Sequence, residues 1–148
     1  MRVNLKILLD TSLLIAAFIE SHPKHKEAFK VLANAKKKKF KLFVAAHTIL
    51  EIYSVLTSAP FKPPITTEIA EKLIENNIKH LAKIISLTDK DYLNIVKKMS
   101  DSNFKGGIVY DGIIVECALN EKVDEIITLN PKDFLRLVEN NPIKISTI

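Results

Sequence analysis

At 148 residues, with 47% hydrophobic and 26% charged residues, the chain is long enough to bury a core without disulfides or a structural metal, and too apolar for a disordered segment. One domain spanning 1–148 is expected, and the single cysteine, Cys117, rules out an internal disulfide and any C-x-x-C zinc or redox motif, which fits a reducing cytoplasm. Lys and Arg total 22 against 17 Asp and Glu, and the net charge of +5 tilts the chain toward polyanionic partners.

Along the chain, the apolar run Leu5 to Leu9 reads as a short buried strand, stopped by Asp10-Thr11-Ser12, and Ser12 to Glu20 as a helix starting at its carboxyl end. Arg2 and Lys6 ahead of Leu13 to Ile19 imitate a signal peptide. Asp10 interrupts the imitation, no cleavage pattern follows, and the run falls far short of the ~20 residues that span a bilayer, so neither export nor a membrane span is expected. A second helix starts at Pro23 and ends in the run Lys36 to Lys39, which serves equally as a solvated helix end or as a polyanion contact. Phe40 to Ala45 reads as the second strand. Thr48-Ile-Leu-Glu51 has the form of a capping box opening a helix through Ile52, Val55 and Leu56, ended by the proline-rich stretch Ala59 to Pro64.

Thr66 to Lys79 is helical by period, and Leu81 to Leu87 is a third strand. Thr88-x-x-Asp91 opens another helix by capping logic, with Gly106-Gly107 closing it. Val109 to Asn120 is a helix, Glu125 to Leu129 a strand and Pro142 to Ile148 a last strand. Strands alternating with helices predict an α/β fold with a mainly parallel sheet, whose ligands bind beyond the carboxyl ends of the strands. Asp10 stands at such an end.

Several chemistries are excluded by residue type. Gly106, Gly107 and Gly112 are the only glycines and their spacing does not fit G-x-G-x-x-G, and Ile113-Ile114 replaces the Lys-Ser/Thr pair of a P-loop. His22-x-x-His25 has metal-like spacing but no further ligands nearby, and reads as surface. Cys117 sits in the apolar run Ile113 to Leu119 as a small hydrophobe.

Acidic residues among apolar neighbours remain. Asp10 alone doubles as a helix N-cap, Glu51 alone as the capping-box partner of Thr48, and Asp111 alone as a first-turn carboxylate favoured by the helix dipole. Glu116, five residues beyond Asp111 at ~100° per residue, faces roughly 140° away and belongs to a different environment.

Taken together these segments carry a resemblance. Leu8-Leu9-Asp10-Thr11-Ser12-Leu13-Leu14 resembles the opening motif of PIN domains, Glu51 in Ile-Leu-Glu-Ile-Tyr their second acidic position and Tyr110-Asp111-Gly-Ile-Ile the third. Thr128-Leu-Asn130-Pro-Lys-Asp133-Phe134 resembles the closing motif, with Asn130 where members often carry a fourth acid and Glu116 where a small residue is common.

The resemblance implies an α/β/α PIN-like fold and hydrolysis of single-stranded RNA to a 3′-hydroxyl and a 5′-phosphate. It implies Asp10, Glu51 and Asp111 as catalytic, metal-binding carboxylates for Mg²⁺ or Mn²⁺. Ser12 and Asn130 assist, Thr128 supports the turn, and Asp133 either joins the site or holds the closing loop over Phe134. Hard oxygen donors suit those ions. A VapC-type toxin of a toxin–antitoxin pair is the expected biology, acting in the cytoplasm as a homodimer with a cognate antitoxin as partner. The competing expectations are a stand-alone RNA-processing nuclease, a PIN-like RNA-binding or scaffolding module without catalysis, and a phosphotransfer domain. The last is disfavoured because Asp10-Thr11-Ser12 lacks the second aspartate of a D-x-D motif.

Overall fold

The structure, a computed structural model, describes residues 4–148. Five short strands form one sheet: β1 (Lys6–Leu9), β2 (Lys41–Ala45), β3 (Lys83–Ile85), β4 (Glu125–Ile127) and β5 (Lys144–Ser146). Their order is β3-β2-β1-β4-β5, and all four pairings are parallel. A parallel sheet is covered on both faces, which is why the inner strands read as unbroken apolar runs rather than alternating ones.

Successive side chains feed opposite layers. Ile7, Leu9, Leu42, Val44 and Ile127 enter one core, beneath α1 (Thr11–Phe18), α2 (His25–Lys36), α3 (Ala46–Ser58) and α4 (Thr67–Ile74). Leu8, Phe43, Ala45 and Ile126 enter the other, beneath α5 (Asp89–Asp101), α6 (Ile108–Glu121) and α7 (Pro131–Leu137). The α/β/α layering expected from the sequence is thus the observed one. Among the described residues no helix is long and apolar enough to cross a membrane.

Several boundaries differ from the expectation for identifiable reasons. Gly106-Gly107 does not close α5. That helix stops at Asp101, where Asn103 takes the left-handed conformation (φ 53°) and the Phe104 N–H returns to the Met99 carbonyl, so asparagine does the work expected of glycine. Gly106 (φ 74°) and Gly107 instead lead into α6. The helix expected from Pro23 begins two residues later, at His25. Thr66 to Lys79 is α4 followed by a π-helical turn, Glu75–Lys79. The capping box Thr88–Asp91 forms as read, with both reciprocal bonds present (2.9 and 3.2 Å). Helix α7 was not expected as an element, although Pro131 at its first position was the available signal.

The topology fixes where a site can form. From β1 the chain moves outward to β2 and β3, then returns to β4 on the other side of β1. The carboxyl ends of β1 and β4 therefore flank the point where the winding reverses, the usual place for a ligand crevice in an open α/β sheet. Asp10 and Thr128 are the first residues past those two strands.

Candidate active site

Asp10 is held at the end of β1 by its backbone N–H, which donates to the Ile127 carbonyl (3.0 Å). It occupies the N-cap position of α1 in backbone terms, but its side chain makes no capping bond. The carboxylate is instead nearly buried, at 6% exposure, and its Oδ2 accepts from Ser12 Oγ (2.9 Å) and Thr128 Oγ1 (2.8 Å). Each of those hydroxyls accepts in turn from a backbone N–H of the β4–α7 connection, Leu129 to Ser12 (3.0 Å) and Asn130 to Thr128 (3.0 Å). A buried carboxylate without such partners would be costly, so this network determines which way Asp10 faces. None of these bonds uses Asp10 Oδ1.

Glu51 comes from the second turn of α3. The expected capping box with Thr48 is absent, because β2 runs straight into a helix that already begins at Ala46, with Ala45 as a cap that makes no side-chain bond. Thr48 lies inside the helix, fully buried, with its hydroxyl 2.9 Å from Thr11 Oγ1. Thr11 donates to Glu51 Oε1 (3.0 Å), and His47 Nε2 approaches the same oxygen at 3.6 Å. The helix start therefore makes no demand on Glu51.

Asp111 enters from the first turn of α6. Burial, and then the negative charges of Asp10, Asp133 and Glu51, push its pKa up to about 6. The three carboxylates, with Ser12, Tyr110 and Asn130, line one cavity of about 240 Å³. Among the described residues no three acidic, histidine or cysteine side chains are closed into a ready metal cluster. The donors are hard oxygens spread around an opening, which suits a cation that keeps part of its water shell better than one requiring an all-protein cage.

Other residues fall where the sequence placed them or nearby. Glu116 is buried on the α5 side, paired with Lys98 (3.0 Å) and Asn94 (3.1 Å), away from this cavity. Asp133 does not line the cavity. It sits in α7 beside Arg136 (3.4 Å) and reaches Asp111 through its charge alone, while Phe134 is fully buried beneath. Cys117 is buried, and its thiol is pushed up to about 12, chiefly by burial, as a packing role requires. Thr11 and Tyr110 were read only as parts of the motifs, with no role of their own, and His47 was not placed near the site. Tyr110 lines the cavity, and His47, which approaches Glu51, stacks on it with centroids 5.9 Å apart and planes 7° from parallel. The i, i+4 spacing of His47 and Glu51 was the unused signal that could have found the histidine.

A profile of the PIN domain matches residues 6–132, nearly the whole of the chain that builds this sheet and cavity. The chain belongs to the PIN domain family. Among solved structures, this PIN domain is similar to VapC20 of Mycobacterium tuberculosis, described as a sarcin–ricin loop cleaving toxin, at 11% identity over 88% of this chain and 94% of that one (TM-score 0.71). It is likewise similar to VapBC2 from Rickettsia felis bound to a DNA fragment from their promoter, at 14% identity over 97% and 99% of the two chains (TM-score 0.67). FitAcB from Neisseria gonorrhoeae is similar at 15% identity over 95% and 96% (TM-score 0.67). At these identities the likeness is one of fold. No curated protein matches the sequence.

The Asp111 shift has a measurable consequence. In the metal-free fold Asp111 keeps its proton up to about pH 6, whereas the unfolded chain releases it near 3.8. Between those values the fold binds more protons, so the contribution to stability is full below pH 3.8 and is lost as pH rises through 6. Thermal unfolding in chelator should show wild type losing stability relative to Asp111→Asn as pH rises from about 4 to about 6, with little further change above that. Parallel profiles for the two proteins would refute the crowding of these carboxylates.

Proposed function

We propose that this PIN domain is a Mg²⁺- or Mn²⁺-dependent endoribonuclease that hydrolyses phosphodiester bonds of single-stranded RNA, and that it serves as the toxin of a toxin–antitoxin pair. The observation carrying the nuclease reading is the convergence of Asp10, Glu51 and Asp111, from three separate elements, on one cavity at the reversal point of the sheet. Family membership supports the hydrolase class, and the fold shared with VapC20, VapBC2 and FitAcB supports the toxin reading and a cognate antitoxin as partner.

Asp10, Glu51 and Asp111 would hold the divalent ion, which when bound neutralises phosphate charge and acidifies a water. Asp10 offers its free Oδ1 while Ser12 and Thr128 restrain Oδ2. Asn130, at the cavity rim, supplies an uncharged amide that hydrogen-bonds the phosphate or the attacking water, a role that needs no fourth acid. Asp133 pairs with Arg136 one turn along α7 and raises the proton affinity of Asp111 from a distance. The chain works in the cytoplasm as one domain, and it pairs as a homodimer through apolar side chains left exposed on α5, Leu93 (69%) and Val96 (61%).

The deciding experiment incubates purified protein with single-stranded RNA in Mg²⁺, in Mn²⁺ and in chelator, with Asp10→Asn protein alongside. Metal-dependent products with 3′-hydroxyl and 5′-phosphate ends, absent with the variant, are expected. RNA binding without cleavage in either metal would replace the nuclease by a binding module. Sedimentation of the same samples should give twice the 16.7 kDa chain mass, and a clean monomer at all concentrations would remove the dimer.

A further inference from the structure

The lysine run that ends α2 takes no part in the acidic cavity and lies at the opposite end of the sheet. There, parallel register sets Lys6 of β1 directly against Lys41 of β2, and Lys83 of β3 against Phe43. A groove of about 760 Å³ opens at these amino ends, lined by Lys6, Lys38, Lys41 and Lys83, with Phe40 and Phe43 among its apolar walls. Among the described residues Glu121 is the one carboxylate lining it, and it is already engaged: its carboxylate meets Lys83 Nζ (3.2 Å) and its carbonyl accepts from Lys6 Nζ (3.1 Å). The Lys6 and Lys83 ammonium groups both stand over the Phe43 ring, at 5.7 and 5.9 Å. Among the described residues Lys38 and Lys41 meet no carboxylate. Like charges placed side by side on neighbouring strands oppose folding unless an anion neutralises them.

The backbone adds a second observation. Lys38 closes α2 in the left-handed region (φ 58°), its N–H bonded to Ala35 and the next N–H, from Lys39, to Asn34. That position favours glycine, so a lysine there carries a conformational cost. Cations at a helix end answer the macrodipole, which accounts for Lys36 and Lys37. It does not account for lysines brought to the same groove from three different strands.

We propose that this groove is a second anchoring site for the phosphate backbone of single-stranded RNA, remote from the cleavage cavity. The assignment of RNA rests on the ribonuclease reading above. The two sites are separated by the length of β1, four residues or about 13 Å at ~3.3 Å per residue. An RNA that passes from the cavity around the sheet to the groove gains the lysine ammonium groups and the half-buried face of Phe40. A trinucleotide held in the cavity gains neither, so the groove selects for substrate length.

The test uses the full chain carrying Lys38→Gly and Lys41→Ala together, with a fluorescent oligouridylate of about 20 nucleotides in chelator, read by anisotropy across a salt series. Affinity at low salt should fall at least ~10-fold, and the slope of log K against log salt should shrink by about 1.4, or ~0.7 for each phosphate that a lysine no longer neutralises. The melting temperature should hold or rise because glycine accepts the left-handed backbone, and trinucleotide cleavage in Mn²⁺ should stay at wild-type rate. Wild-type affinity and slope in the double variant would overturn the proposal. So would a DNA duplex of equal length bound as tightly as the RNA through the same two lysines. Lysine-dependent RNA binding by a protein that cleaves nothing in Mg²⁺ or Mn²⁺ would uphold the anchoring site and discard the ribonuclease reading alone.

Discussion

Glu51→Gln is expected to lower RNA cleavage at least ~100-fold, the scale of losing a strong electrostatic interaction with developing charge. The fold has little reason to suffer. The glutamine amide oxygen can still accept from Thr11 Oγ1, which donates to Glu51 Oε1 at 3.0 Å, and no helix cap depends on residue 51. Stability without metal should even rise, because Glu51 is one of the charges that force Asp111 to hold its proton. Cleavage and metal-free unfolding measured on one preparation separate the alternatives. Cleavage at the wild-type rate would remove Glu51 from the catalytic set and leave two carboxylates, too few for the proposed ion site.

The second large effect is predicted for Thr128→Val, which keeps the shape of a fully buried side chain and removes its hydroxyl. That hydroxyl donates to Asp10 Oδ2 (2.8 Å) and accepts from the Asn130 N–H (3.0 Å), so valine strips one partner from a buried carboxylate and leaves a backbone donor unanswered. Leaving such groups unpaired costs about 1–3 kcal/mol, which for a chain of this size lowers the melting temperature by roughly 2–4 °C per kcal/mol. Cleavage should fall further than stability explains, since Asp10 loses one of the two bonds that aim it. Thr128→Ser, which restores the hydroxyl, should recover both properties. A valine variant as stable and active as wild type would show that Ser12 alone positions Asp10.

Asp10 was legible because a buried parallel strand needs an unbroken apolar run, and a charged residue ending Ile7-Leu8-Leu9 marks the carboxyl end where such sheets bind ligands. The assignment of Glu116 to other surroundings followed from helix geometry alone. Glu51 was harder. Thr48-x-x-Glu51 satisfies a capping pattern whose truth depends on where the preceding strand stops, and β2 stops at Ala45, placing the helix start two residues before the expected cap. Glycine led to a similar error at Gly106-Gly107, since the left-handed turn ending α5 is made by Asn103.

Local chemistry written in the sequence determined the α/β alternation, the apolar strands, the Thr88–Asp91 cap and the acidic residues at element ends, because each depends on neighbours a few positions away. Tertiary structure alone decided the strand order, which brings Thr128 to Asp10 across 118 positions and Glu51 to Thr11 across 40, and the packing that stacks His47 on Tyr110. It also gathered Lys6, Lys41 and Lys83 at one end of the sheet, which no single stretch of sequence displays. The reason is physical: hydrophobic burial sets how strands and helices layer, but it is non-directional, and the partners of a polar side chain follow only once the sheet order places distant segments side by side.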